Sequence, residues 1–214
     1  MTARLQHSSA RGALVLLLVL LAPPIRHALE SSMTTQMLVQ IPLLITVGVL
    51  LSAAVPARIN AAMGAWDHRG ITGLVLASFV GAFWMLPRSL DAAVTDPRFD
   101  IAKYLSAVLL IGLPFALSWK RMGFIVRGVF LLELIATFFR LGWLYLIWPD
   151  RLCNNFLLDD QQRLGRYMLL IGALLFFWIT IKLMWGRLDS FAEALPPAFS
   201  PDTGGRHLYG GPDV

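Results

Sequence analysis

Long apolar stretches alternate with short charged punctuation through most of this sequence, and that pattern limits the fold more than any other feature. A run of about 20 apolar residues is long enough to cross the hydrocarbon layer of a bilayer as a helix. In lipid, only a helix or a closed barrel satisfies its own backbone hydrogen bonds. Well-formed stretches run from about Met33 to Val55, Ile71 to Leu86, Ile101 to Trp119, Met122 to Trp148 and Tyr167 to Trp185. A shorter one, Gly12 to Leu21, follows Arg4 and Arg11 and precedes Pro23, Pro24, Arg26 and His27. It reads as a short, kinked helix within residues 1–30, retained as an uncleaved signal anchor. The expectation is an all-α, polytopic transmembrane bundle of about six helices. Its main body covers residues 31–187, and a disordered cytoplasmic tail rich in Pro and Gly covers 188–214.

Composition agrees. Hydrophobic residues make up 57% of the chain and charged ones 14%, where a soluble domain carries roughly a quarter charged. The net charge of +5 does not point to nucleic acid. The basic residues sit singly or in pairs at the ends of apolar segments, as topology signals do. With the N-terminus inside, Arg58, Arg69, Lys120, Arg121, Arg127 and Lys182 fall on the cytoplasmic side. The other side then collects acids such as Glu30, Asp91, Asp96, Asp100, Asp159 and Asp160. This gives an N-in, C-in protein of the bacterial inner membrane. The single cysteine, Cys153, excludes an intramolecular disulfide and lies in the long outer loop.

On that topology, sulfur and polar residues gather toward the outer end. Met33, Gln36 and Met37 begin the second segment, and Met33 and Met37, four apart, share a helix face. Trp84 and Met85 end the third, and Tyr104 lies in the first turns of the fourth. Asp160, Gln161 and Gln162 lie just before the sixth, and Met168 is in its first turns. Soft thioether ligands select Cu(I) over harder cations. Methionine is also an ordinary gap filler of apolar cores, and spacing alone fits that use well. Glu133 and Arg140, two turns apart inside the fifth segment, are expected to face the bundle interior. They read as a pair that orients one helix, with a proton or ion path as the sharper alternative. Asp159 and Asp160 read as caps of the sixth helix. No two His residues fall at metal-ligand spacing. No phosphate-binding glycine loop, Ser-His-Asp arrangement or HExxH motif occurs, so no enzyme is expected.

Three stretches, taken in order, resemble a known family. Trp84-Met85-Leu86-Pro87 with Leu90-Asp91-Ala92-Ala93 is similar to a "WHLP…YDAAL" signature. Met33-Thr34-Thr35-Gln36-Met37-Leu38-Val39-Gln40, then Ile41-Pro42-Leu43-Leu44 and Gly48, is similar to an "HMxQHMLL…PLLxxG" helix. Asp160-Gln161-Gln162, Leu164-Gly165 and Met168 are similar to an "aDQQLGGxxMW" segment. These belong to the caa3-type cytochrome c oxidase assembly factor (CtaG-like) family, and the resemblance spans roughly Ser32 to Trp185. It implies a factor for oxidase assembly that handles Cu(I) at an outward-facing site of Met33, Met37, Met85 and Met168. Oxidase subunits, or another membrane complex, would be its partners. The departures are specific. Ser32, Gln36, Met85 and Tyr104 stand where that family has histidines, and the chain has one helix fewer than the usual seven. Met85 keeps a soft donor, which favours copper. Ser32 and Gln36 favour a non-metal-binding accessory subunit of a respiratory complex. A transporter of copper or another small solute is the weaker alternative, since no inverted repeat or broken helix pair at mid-depth is seen.

Overall fold

Proline sets most of the helix boundaries. The computed structural model describes residues 2–67, 69–148 and 158–185. Among these residues the chain is helical, without strands. Helix α1 is Thr2–Leu21 and α2 is Pro23–Glu30, which starts on paired prolines. Helix α3 is Met33–Ala54, α4 is Ala57–Trp66, α5 is Ile71–Trp84 and α6 is Pro87–Thr95. Helix α7 is Pro97–Trp119, α8 is Phe124–Ile147 and α9 is Leu158–Trp185. Pro87 and Pro97 open their helices, where a missing N–H costs nothing. Asp96 completes the second start by accepting the Arg98 N–H at 2.8 Å.

Helices α3, α7 and α9 (over Leu158–Met184) are each long and apolar enough to cross a membrane. Two further pairs qualify as single, bent spans: Ser9–Leu21 with Pro23–Glu30, and Ile71–Trp84 with Pro87–Thr95, each bent by 70°. Helix α8 is not among them and carries Arg127, Glu133 and Arg140 along its 24 residues. The sequence therefore expects six spans where three unbroken and two bent helices meet the criterion. Two boundaries also move. The last helix begins at Leu158, so Asp159, Asp160, Gln161 and Gln162 lie inside it. The stretch after the second segment forms α4, which has no buried residue and was not expected. The proposed tail at 188–214 lies outside the described residues. By its contacts the chain divides into Met1–Leu174 and Leu175–Val214, and the packing described below lies within the first.

Helices α3 and α7 share a device. Each contains one widened turn, at Gln36–Gln40 and at Ala107–Gly112, where the backbone N–H reaches back five residues: Ile41 to Gln36, and Leu113 to Val108. In both, a proline follows one residue later, Pro42 and Pro114. Proline lacks the N–H that would close the regular ladder, and its ring crowds the preceding turn. Widening the turn absorbs both effects without breaking the helix. The two helices then meet at backbone distance. A Cβ on Gly48 would stand 2.3 Å from the Val108 carbonyl oxygen and 2.8 Å from the Gly112 Cα.

Two apolar clusters flank α3. One gathers Met33, Met37 and Ile41 with Trp84, Leu90, Ile111, Tyr145, Leu164 and Met168. The other joins Leu44 and Val47 to Ala13 and Leu20 of α1 and to Tyr104, Ala107 and Val108 of α7. The first apolar segment is thus packed into the bundle, and the Ser9 hydroxyl donates to the Leu50 carbonyl at 3.0 Å. Ahead of α5, Asp67 caps the helix start. It accepts from the Thr72 N–H (2.9 Å) and the Ser118 hydroxyl (2.5 Å). Gly70 makes that turn at φ 72°, a conformation costly for other residues.

Filling the α3–α7 contact should be costly. Gly48→Val is expected to destabilise the fold by about 2 kcal/mol or more, because backbone rather than side chain must move. Gly81→Ala, with nothing within 4 Å of the added carbon, should be neutral or slightly stabilising. Thermal unfolding of the detergent-solubilised protein compares the two.

Candidate functional site

The methionines of the sequence analysis come together. Met33, Met37 and Met168 are fully buried in one cluster, and Met85 packs against it. They arrive from α3, from the α5–α6 corner and from α9. Three polar links hold these elements in place. The Asp160 carboxylate accepts the Met33 N–H at 2.5 Å and the Thr34 hydroxyl at 3.3 Å. The Tyr145 hydroxyl donates to the Met85 carbonyl at 3.1 Å. The Gln161 amide donates to the Tyr145 carbonyl at 3.4 Å. Asp160 therefore satisfies the start of α3, rather than only its own helix, beside the Ser32 hydroxyl that accepts the Thr35 N–H.

Next to Met37 lies an unsatisfied group. Gln36 is fully buried, and neither its amide oxygen nor its nitrogen has a hydrogen-bond partner among the described residues. Such a vacancy costs about 1–3 kcal/mol. It falls in the widened turn of α3, a distortion common at functional sites. Among the described residues no three His, Cys, Asp or Glu side chains gather as a metal-binding group. A metal held by the described residues here would rest on the thioethers, a donor set that suits Cu(I).

Other residues fall elsewhere. Tyr104 does not join the methionines. It lies in the second cluster, on the opposite side of α3, and its hydroxyl donates to the Leu20 carbonyl at 3.2 Å. The reason is helical phase: Met33, Met37 and Ile41 turn one way, while Gln40, Leu44 and Val47 turn toward α1 and α7. Glu133 and Arg140 do pair, but not in the interior. Both side chains are 65% exposed on the outward face of α8. Mutual neutralisation frees the pair from needing interior partners, so the helix buries Ile135, Gly142 and Tyr145 instead. Cys153 lies outside the described residues.

Sequence reasoning missed a buried ionic box. Lys103 has no exposure, yet it pairs at 3.0 Å with both Glu30 and Asp100. Arg26 completes the box, 2.7 Å from Asp100 and 3.3 Å from Glu30. Gln40 joins it, accepting from Lys103 (3.2 Å) and donating to the Tyr104 hydroxyl (2.9 Å). Two cations meet two anions, and α2 is tied to α7. The local spacings were visible, Arg26 with Glu30 four apart and Asp100 with Lys103 three apart. What joins them is the 70° turn at Pro23, which folds α2 over the bundle.

Removing one corner leaves buried charge uncompensated. Lys103→Leu is expected to destabilise by about 3–5 kcal/mol. Arg26→Leu, at a corner open to solvent, should cost much less. Unfolding midpoints of both variants, measured side by side, test this ranking.

No family model, no curated protein and no solved structure matches this chain.

Proposed function

We propose that this chain is an integral membrane factor that assists assembly of a cytochrome c oxidase by passing Cu(I) through the thioethers of Met33, Met37, Met85 and Met168. The observation that carries this reading is the gathering of buried Met33, Met37 and Met168, with Met85 packed against them, from three separate elements, while Gln36 in the same widened turn as Met37 leaves its amide without a partner among the described residues. Thioethers carry no proton to lose, so such a site holds a soft monovalent cation across a wide pH range. The Gln36 amide can receive or orient a polar ligand of the ion as it enters or leaves. Asp160 and Tyr145 fix the backbone on either side, so the donors stay converged without the ion. Copper is cargo on this reading, and no covalent chemistry is required. The setting is a bacterial inner membrane with both termini inside, and the partners are oxidase subunits.

A second reading has its own support. Met33, Met37 and Met168 are enclosed by Trp84, Leu90, Leu164 and Tyr145, as gap-filling side chains in a core are. The protein would then be an accessory subunit of a membrane respiratory complex.

Chelator competition for Cu(I) in detergent separates the two readings. Tight one-to-one binding is expected for the wild type. The Met33→Ala/Met37→Ala/Met85→Ala variant should lose at least 100-fold in affinity, or roughly 3 kcal/mol. Absence of binding by a folded wild-type protein would remove the copper reading and leave the accessory subunit.

A further inference from the structure

Helix α4 links two segments that cross the apolar layer, and both of its ends stand at one surface. Helices α3 and α7 run side by side in one direction, with Gln40 bonded to Tyr104 and Gly48 against Gly112. The end of α3 is therefore level with the end of α7. Helix α5 begins at that same level, because Asp67 and Gly73 both stand against the Ser118 hydroxyl near the end of α7. Ten residues of helix reach about 15 Å, half of what crossing the hydrocarbon takes. Helix α4 therefore runs at the surface of the bilayer rather than through it.

Nothing in α4 is buried, yet it has one apolar face. Ile59, Ala62, Met63 and Trp66 follow the i, i+3, i+4, i+7 spacing of a helix stripe. Trp66 is 86% exposed and Ile59 52%. The protein holds the adjoining face. Arg121 Nη2 donates to the Asn60 carbonyl at 2.8 Å, and a Cβ on Gly64 would stand 3.3 Å from the same nitrogen. That contact fixes the roll of the helix and leaves the apolar stripe off the bundle. An indole this open suits the boundary between lipid and water, where its ring meets acyl chains and its N–H meets headgroups.

Charge identifies the lipid. Arg58 and Arg69 lie at the two ends of the α4 segment, and Lys120 and Arg121 form the turn between α7 and α8. Arg127 is tied to that turn through the Trp119 carbonyl. Arg11 is brought near by α1, whose Ser9 reaches Leu50. The acid among these cations, Asp67, is buried and taken up by the Ser118 hydroxyl and the Thr72 N–H. At the opposite end charges come in both signs, as in the box of Arg26, Glu30, Asp100 and Lys103. Exposed cations beside an amphipathic helix in the headgroup layer attract anionic headgroups.

We infer that α4 lies in the headgroup layer with its Ile59–Trp66 stripe toward the acyl chains, and that Arg58, Arg69 and Lys120 beside it bind anionic phospholipid. On the N-in arrangement proposed above, this is the cytoplasmic leaflet. The inference holds whether or not the methionine cluster binds copper.

The test has two arms, both on the full chain. Ala61 and Ala62 are neighbours and both are exposed, but only Ala62 lies on the stripe. Each is replaced by Cys in a Cys153→Ser background, spin-labelled, and placed in nanodiscs of equal parts phosphatidylcholine and phosphatidylglycerol. The ratio of collisions with oxygen to collisions with a water-soluble nickel chelate should be at least about threefold higher for Ala62→Cys than for Ala61→Cys. In the second arm, delipidated protein is offered the same two lipids in detergent, and retained lipid is counted by native mass spectrometry. Wild type should retain phosphatidylglycerol over phosphatidylcholine by at least about fourfold. Arg58→Gln/Arg69→Gln/Lys120→Gln should lose most of that preference. Arg88→Gln/Arg98→Gln, which removes two exposed cations from the opposite end, should keep it. Equal collision ratios at the two alanines would overturn the placement of α4. No lipid preference in wild type, or an equal loss in both charge variants, would overturn the anionic site.

Discussion

The approach of α3 to α7 at Gly48 and Gly112 is the contact on which the rest of the bundle depends. It brings two helices together at backbone distance, closer than any pair of side chains would allow. In lipid no hydrophobic force drives helices together, so close packing of small residues carries much of the association. Once joined, the two helices leave α3 a free face on each side. The methionine cluster forms on one face and the ionic box with Tyr104 on the other. The widened turns are part of the same design. Each shifts the phase of its helix just ahead of a proline, which sets the side chains before it in new directions.

The apolar stretches were legible because the backbone in lipid has few options. Five of six expected segments match an unbroken or bent helix meeting the length and apolarity needed to cross. The bends at Pro23 and Pro87 could be placed from the prolines, but not their 70° angle or what the bent-over parts would touch. The early start of the last helix was missed because Asp159, Asp160 and two glutamines look like loop residues until Asp160 is seen to bind a distant backbone amide. Helix α4 was missed because its ten residues are too few for a span and nothing in it is buried.

The candidate site was half legible. Sulfur residues could be assigned to one end of the bundle from chain direction, and Met33, Met37, Met85 and Met168 do share a cluster. Tyr104 could not be excluded from them, since depth says nothing about which side of α3 a neighbour occupies. The ionic box was hidden for a different reason. Its four charges fall at segment ends, where single charges ordinarily meet water and headgroups, and only the folding back of α2 brings Arg26 and Glu30 onto Asp100 and Lys103. Glu133 and Arg140 were correctly paired but expected inside, because the spacing that puts them on one face of α8 does not say which face the packing buries.

The bond between Asp160 and the Met33 amide has a consequence for how the protein is made. The start of α3 is ordered by a side chain 127 residues later in the chain. At about 5–20 residues per second, a ribosome needs roughly 6–25 s to supply it. Only in the last third of that interval, after Trp119 has been made, can α3 and α7 stand together, with one flank open and the methionines uncovered. The last helix acts as the closing stave, and whatever the uncovered cluster is to receive can reach it most easily before that stave arrives.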